Sequence, residues 1–215
     1  MRFLRFVELT YNLHCFSAGM ITAGEDIDVV RVQLSRWVSS GRLVRIHKRW
    51  YTLRDPFRRI RLNRNVIACT IKRGSYVSLQ SALAYHGMIP EYVAETTCVT
   101  TGRPLSIDSP LGRIGYRHVK RDVFFGYEQE VSGKQEAYIA SPEKALLDLF
   151  YLTPGSYDAA YIAELRLQAS EQLDTGKMMG MAERFGAPRL LRAVEHLDHV
   201  PRQEKIPAIA QTCRY

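Results

Sequence analysis

Residues 26–53 read DIDVVRVQLSRWVSSGRLVRIHKRWYTL, and the spacing of the apolar residues in this stretch changes once, at Gly41. Before the glycine, apolar side chains recur three or four residues apart, which predicts an amphipathic helix. They are Val30, Leu34, Trp37 and Val38. After the glycine, apolar and polar residues alternate over 43–46 and 50–53, which predicts a β-hairpin with a cationic tip at 47–49.

Two further helices precede this stretch. Apolar residues at helical spacing predict a first helix over residues 2–14. Ser17 as N-cap and Gly24 as terminator predict a short second helix, and Asp26 or Asp28 is placed to cap the third. Three helices followed by a basic hairpin are the layout of a winged helix-turn-helix.

The outer face of the third helix is small, polar and basic. At about 100° per residue, four residues lie opposite the apolar side and Arg31 lies at the flank. The four are Val32, Ser35, Arg36 and Ser39. In a winged helix this face enters the major groove, and the hairpin tip contacts the flanking backbone or minor groove. The candidate DNA-binding residues are Arg31, Ser35, Arg36, Ser39, Arg42, Arg45, Lys48 and Arg49. The alternative interpretation is that these charges are only solvated.

The positive charge belongs to one third of the chain. Residues 1–73 hold 15 Lys and Arg against 5 Asp and Glu, whereas residues 74–215 hold 15 against 17. A net charge of +8 kept only for solubility would be spread evenly, so this division favours an electrostatic partner for the N-terminal part. The phosphate backbone of double-stranded DNA is the commonest such partner. An anionic membrane surface is the alternative, but the chain lacks an amphipathic anchor for it.

The length of 215 residues and the basic run at 58–61 predict two domains, residues 1–60 and residues 61–215. The second mixes strands near 76–78, 98–101, 114–119, 123–127 and 137–140 with helices over 79–86, from Ser141, and near 157–169, 175–185 and 188–198. The predicted fold class is α+β, an N-terminal winged helix-turn-helix followed by a mixed α/β domain that ends in helices.

Composition and motifs favour a cytoplasmic protein without catalytic chemistry. No apolar run reaches the roughly 18 residues of a membrane span, and Glu8 interrupts the start where a signal peptide continues apolar. The chain has no Gly-x-Ser-x-Gly, Gly-x-x-x-x-Gly-Lys or His-Glu-x-x-His motif. His196 and His199 lie one turn apart, but no third metal ligand is evident. We therefore expect no cofactor and no metal. Four distant cysteines are expected to be reduced thiols: Cys15, Cys69, Cys98 and Cys213.

The segment 138–148 is dense in specific residues. Ser141-Pro142-Glu143 has the cap, the first-turn proline and the acid that begin a helix. Lys144 and Asp148 are spaced to pair along one face of that helix. From the residues alone, a structural cap and ion pair is the favoured interpretation.

Three segments in this order carry a resemblance to a known family. They are the hairpin residues 41–46 and 51–53, YVSLQSALAYHG at 76–87, and IASPEKALLD at 139–148. Together they resemble the AbiEi antitoxins of type IV toxin–antitoxin systems, which act in abortive infection of phage-infected cells. The resemblance covers about residues 1–155. The chain departs from the family at the wing, where Arg49 and Trp50 precede the tyrosine in place of a small residue or glycine.

The resemblance implies a specific function. Such proteins bind repeats in their own promoter through the N-terminal domain and repress the operon. Their C-terminal domain neutralises a nucleotidyltransferase-like toxin without forming a stable complex with it. On this sequence the groove-facing role falls on residues 31–39 and the wing role on residues 45–51. The antitoxin-domain motif residues are Ser78, Ser81, His86, Glu143, Lys144 and Asp148.

Two other functions stay open. The first is a stand-alone winged-helix repressor whose C-terminal domain binds a ligand or partner, and a nucleotidyltransferase gene immediately downstream would argue against it. The second is a DNA-acting enzyme, which requires cleavage or nucleotide transfer that depends on Glu143 or Asp148.

Overall fold

The computed structural model describes residues 2–22, 24–168 and 172–199, and within them the fold is mixed α+β, with eight α-helices and two sheets. The helices are α1 (Phe3–Thr10), α2 (Ile27–Ser39), α3 (Arg64–Ile71), α4 (Leu79–Tyr85), α5 (Pro142–Leu152), α6 (Ala159–Glu164), α7 (Thr175–Phe185) and α8 (Pro188–His199). The strands are β1 (Phe16–Ser17), β2 (Leu43–His47), β3 (Trp50–Leu53), β4 (Ser75–Val77), β5 (Thr96–Thr100), β6 (Leu105–Ser109), β7 (Gly112–His118), β8 (Tyr127–Ser132) and β9 (Gln135–Ala140).

A small antiparallel sheet with strand order β1-β3-β2 lies against α1 and α2. Its core is largely aromatic, because Phe6, Phe16 and Trp37 pack ring against ring with centroids 4.5–5.3 Å apart. The predicted helix over 26–41 and the hairpin after Gly41 are both present. Asp26 caps α2 by accepting hydrogen bonds from two backbone N–H groups of its first turn.

The predicted second helix, from Ser17 to Gly24, is wrong. Phe16 and Ser17 instead form strand β1 against β3, and only a single 3-10 turn, Ala18–Met20, follows. Ser17 makes no side-chain capping hydrogen bond, so an α-helix starting there would leave its first N–H groups without that partner. The first helix is also shorter than predicted, since it ends at Thr10.

The second sheet has six strands in the order β6-β7-β5-β4-β9-β8. The β4–β9 and β5–β7 pairs are parallel, and the remaining neighbours are antiparallel. The predicted strand over 123–127 is wrong, because a 3-10 turn covers Arg121–Val123 and β8 begins only at Tyr127. Gly126 between them has a φ of 75°, outside the range of extended strands. Helix α3 and strands β6 and β8 were not predicted.

The N-terminal part and the larger sheet are joined by buried polar contacts. Gln135, at the start of β9, accepts from the backbone N–H of His14 at 2.6 Å and donates to the carbonyl of Cys15 at 2.8 Å. The His14 ring lies 2.9 Å from the Ser132 hydroxyl, and its Nδ1 accepts from the backbone N–H of Asn63 at 3.1 Å. We call these five residues the junction.

The three cysteines within the described residues, Cys15, Cys69 and Cys98, are buried free thiols. Cys213, expected to be reduced as well, lies outside the described residues. Among the helices that the structure describes, none is both long and apolar enough to cross a membrane.

Candidate nucleic-acid interface and buried ion-pair cluster

The outer side of α2 is an open, basic surface. Its inner side is fixed in the aromatic core through Val30, Leu34 and Trp37. On the opposite side, exposed residues line a shallow groove along the helix. Six residues line it, and we call five of them the α2 outer face: Arg31, Val32, Ser35, Arg36 and Ser39; the sixth is Ser40. Because the helix is held from behind, these side chains are presented on a rigid backbone.

The guanidinium of Arg31 is held near the N-terminus of α2. It forms an ion pair with Asp28 at 2.7 Å, and the two side chains are 56% and 77% exposed. An exposed pair of this kind contributes at most about 1 kcal/mol, so the guanidinium is available to a phosphate or a base edge. Asp28 also places a negative charge beside the face, which opposes unselective phosphate binding.

The β2–β3 hairpin presents four further basic residues that the sequence predicted as DNA-binding, all of them exposed. Arg42 lies over the ring of Phe3 at 4.7 Å, and Arg45 lies over the ring of Tyr51 at 5.5 Å. Such stacking restricts each guanidinium to one side of the hairpin. Phe3 and Tyr51 were not predicted as partners of these arginines, although strand pairing places Arg45 opposite Tyr51.

Lys48 and Arg49 form the two-residue turn of the hairpin, between the paired residues His47 and Trp50. Lys48 has a φ of 38°, a left-handed conformation that costs a non-glycine residue free energy. Both basic side chains are exposed at the turn, while Trp50 is half-buried and packs against the larger core. The tip of the hairpin is therefore formed by two exposed basic side chains.

A second group of predicted residues converges inside the larger core. The ammonium of Lys144 is paired with Oδ1 of Asp148. Oδ2 of Asp148 accepts hydrogen bonds from the hydroxyls of Tyr76 at 2.8 Å and Ser78 at 2.7 Å. All four side chains are fully buried. We call Tyr76, Ser78, Lys144 and Asp148 the ion-pair cluster. It confirms the predicted pairing of Lys144 with Asp148 and shows that the pair is shielded from solvent.

Aromatic rings surround the ammonium of Lys144. Its Nζ lies 5.4 Å from the ring centre of Tyr76, 5.2 Å from that of Phe125 and 4.6 Å from that of Phe185. Burial lowers the pKa of Lys144 and raises the pKa of Asp148, because it disfavours the charged form of each, and the opposite charge of the partner offsets both effects. The cluster is closed to any substrate in this conformation.

Glu143 lies next to the cluster and joins α5 to α7. Its Oε2 accepts from the Ser141 hydroxyl at 2.7 Å and from the Lys177 ammonium at 3.2 Å. Burial by itself would raise the pKa of Glu143, but the hydrogen bonds from Ser141 and Lys177 outweigh it and hold the pKa below its ordinary value.

The remaining two motif residues lie apart from the cluster. Ser81 donates to the carbonyl of Glu95 at 2.9 Å and accepts from the backbone N–H of Thr97 at 2.8 Å. His86 donates from Nε2 to the carbonyl of Ala140 at 2.8 Å. Both residues tie α4 to the sheet. Four partners of the motif were not predicted because they come from separate parts of the chain: Tyr76, Phe125, Phe185 and Lys177.

The part of the molecule that contains the six-stranded sheet also has an open pocket of about 530 Å³ beside α4 and α6. Two tyrosines, Tyr92 and Tyr161, and three acids, Glu91, Glu95 and Glu164, contribute to its lining. Within the described residues, no three His, Cys, Asp or Glu side chains are grouped so as to hold a metal ion. Helix α8 ends at His199, whose side chain lies outside the described part of the structure. The distance between the His196 and His199 side chains is therefore not described.

Comparison with known protein families finds no match, and comparison with curated proteins finds no relative. The resemblance to the AbiEi antitoxins therefore stays a prediction.

Proposed function

We propose that the protein is a DNA-binding transcriptional repressor that binds operator repeats in its own promoter through an N-terminal winged helix-turn-helix. One observation carries this proposal: the eight predicted contact residues are all exposed, on the outer side of α2 and on the hairpin that follows it. The strand order β1-β3-β2, with the hairpin directly after α2, supports the winged arrangement. The short 3-10 turn Ala18–Met20 would then take the place of the helix before the recognition helix.

In this function the two parts of the surface have different tasks. The α2 outer face enters the major groove, where Arg31, Ser35 and Arg36 contact base edges. Arg45, Lys48 and Arg49 on the hairpin contact phosphates, which supplies affinity without sequence preference. The excess of Lys and Arg in residues 1–73 adds long-range attraction to the same polyanion.

We further propose that residues 61–215 form an antitoxin domain that counteracts a nucleotidyltransferase-like toxin without a stable complex, and that the chain catalyses no reaction. The burial of Lys144 and Asp148 supports a structural task for the motif, since neither side chain is exposed. The open pocket beside α4 and α6 favours a second candidate, a stand-alone repressor whose C-terminal domain binds a ligand or partner.

Fluorescence anisotropy with the DNA upstream of this gene tests the repressor proposal. The full chain should bind this DNA more tightly than a scrambled duplex, and its affinity should fall steeply between two salt concentrations. Arg36→Ala should lose about 1–3 kcal/mol on the specific duplex if the side chain contacts a base. Arg113→Ala, which removes an exposed arginine from β7, should bind like the wild type. Equal affinity for both duplexes would overturn the proposal.

Co-expression tests the antitoxin proposal. If a nucleotidyltransferase gene lies beside this one, its product should arrest growth alone and should not do so when the full chain is present. Growth arrest that persists at full expression of the chain would exclude the antitoxin and favour the stand-alone repressor.

A further inference from the structure

Val32 is an exposed apolar side chain in the middle of a basic surface. It is 51% exposed and lines the shallow groove between Arg31 and Arg36, together with Ser35 and Ser39. In helical projection it lies opposite the buried residues Leu34 and Trp37, at the centre of the α2 outer face. The DNA contacts proposed above involve the arginines and serines of this face and give no role to Val32.

The position of Val32 limits what it would contact. A ligand that lies along this groove meets two cations and three hydroxyls at the edges and one branched apolar side chain at the centre. The major groove of B-DNA offers acceptors and phosphates for the polar groups. Its apolar group is the C5-methyl of thymine, which protrudes into the groove and is absent from the other three bases.

We propose that Val32 is a specificity-determining residue that contacts the C5-methyl group of a thymine in the DNA site. This inference rests on the proposed DNA-binding function and deepens it by assigning one base. Ser35 and Arg36, one helical turn along α2, are the neighbours of Val32 on this face. Ser39 donates to the carbonyl of Ser35 at 3.2 Å, so its hydrogen is already engaged within the helix. Val32 is the one apolar side chain of the α2 outer face, which suits contact with a methyl group.

Uracil substitution tests the contact, because uracil differs from thymine only in lacking this methyl group. Titrations compare the operator duplex with duplexes in which each thymine of the site is replaced singly by uracil. The wild type should lose affinity about fourfold at one thymine per operator repeat, the value expected for one methyl group removed from water. Val32→Ala should bind the thymine duplex more weakly by a similar factor and show no further loss at that position. Since Val32 is exposed and alanine is the better helix former, the variant should fold.

Val131→Ala is the matched control, because Val131 is 69% exposed on β8, in the second sheet. It should keep the wild-type sensitivity to uracil. If the wild type binds the operator selectively but tolerates uracil at every position, the thymine contact is excluded while the repressor proposal stands. The same holds if Val32→Ala keeps the full uracil sensitivity. If no upstream DNA is bound selectively, both proposals fail together.

Discussion

Lys144 carries a positive charge in a place that water does not reach, and it depends on a single carboxylate there. Asp148 neutralises the ammonium and also accepts hydrogen bonds from the hydroxyls of Tyr76 and Ser78, so removing its charge leaves the buried ammonium without a counter-ion. Breaking a buried ion pair by changing one partner costs more than removing both charges, because the remaining charge stays buried without a partner.

We therefore expect Asp148→Asn to lower the free energy of unfolding by about 3–5 kcal/mol. The double variant Lys144→Met with Asp148→Asn should regain much of that loss, since the asparagine oxygen still accepts from Tyr76 and Ser78. Urea unfolding, monitored by fluorescence, measures the free energy of unfolding of both variants. A double variant less stable than Asp148→Asn would show that the charge on Lys144 is not what makes the single change costly.

Glu143 makes stability depend on acid pH. Its pKa is below the ordinary value in the folded protein, so its carboxylate stabilises the fold fully above the unfolded pKa of about 4.3. That contribution is lost as the pH falls through the lowered pKa. The folded state binds a proton at Glu143 more weakly than the unfolded state does, so protonation favours unfolding. The urea midpoint of Glu143→Gln should fall less steeply with acid than that of the wild type. Parallel curves for the two proteins would contradict this.

Lys48 combines a strained backbone with an exposed charge. Lys48→Gly removes the charge and accepts the left-handed φ without strain, so the hairpin should be retained. Under the proposed function, affinity should fall for all DNA sequences alike, and the slope of log K against log salt should decrease by about one. Lys134→Gly removes the corresponding charge from the β8–β9 turn and should change neither quantity. A loss confined to the specific duplex would contradict a phosphate contact.

The secondary-structure elements differ in how well the sequence predicts them. Helices α2, α5, α7 and α8 and the hairpin after Gly41 follow local signals, namely caps, proline, glycine and a regular apolar spacing. Helix α3 escapes prediction because its consecutive residues Val66, Ile67, Ala68 and Cys69 are all buried, which removes the polar face that marks a helix. Strand β1 is set by pairing with β3, more than thirty residues away along the chain.

The residues of the candidate sites likewise divide into those that a local sequence pattern predicts and those that depend on distant contacts. One helical projection contains five of the six residues that line the groove along α2, and it misses only Ser40 at the end of the helix. The spacing of Lys144 and Asp148 within one helix likewise predicted their pairing. The burial of that pair, and its contacts with Tyr76 and Phe185, depend on how β4 and α7 pack against α5, which no local pattern encodes.

Helix α3 offers a test of a single cap. The side chain of Asn63 accepts from the backbone N–H of Asn65 at 2.9 Å and of Val66 at 3.3 Å. Asn63→Ala should lower the free energy of unfolding by about 1 kcal/mol, and Asn63→Asp should lower it much less because it keeps the accepting oxygen. Chemical denaturation distinguishes the two. Equal losses would mean that the side-chain oxygen contributes nothing as a cap.

At the scale of the whole molecule, the junction helps to hold the N-terminal part against the larger sheet, together with the apolar packing of Ile46 and Trp50. The buried amide of Gln135 satisfies the N–H of His14 and the carbonyl of Cys15, and the ring of His14 contacts Ser132. Burial, together with the nearby charge of Arg58, lowers the pKa of His14. The neutral ring therefore stabilises the junction fully above the unfolded pKa of about 6.5, and this contribution declines as the pH falls below it.

Gln135→Ala should leave buried backbone groups without partners and cost about 1–3 kcal/mol. The loss should concentrate at the junction, so limited proteolysis should cut the connection between Leu53 and Leu62 faster than in the wild type. Glu136→Ala, at the next and exposed position of β9, provides the control. Unchanged cleavage in Gln135→Ala would mean that other contacts hold the two parts together.

The division of charge between the two parts of the chain also has a kinetic consequence. The first 73 residues carry a net +10 and the remainder carries −2, so the charge is unevenly distributed along the chain. Near a polyanion such an uneven distribution favours approach with the basic surface leading before any short-range contact forms. A larger fraction of collisions then has the orientation needed for binding, with the weakly acidic residues 74–215 facing away from the polyanion.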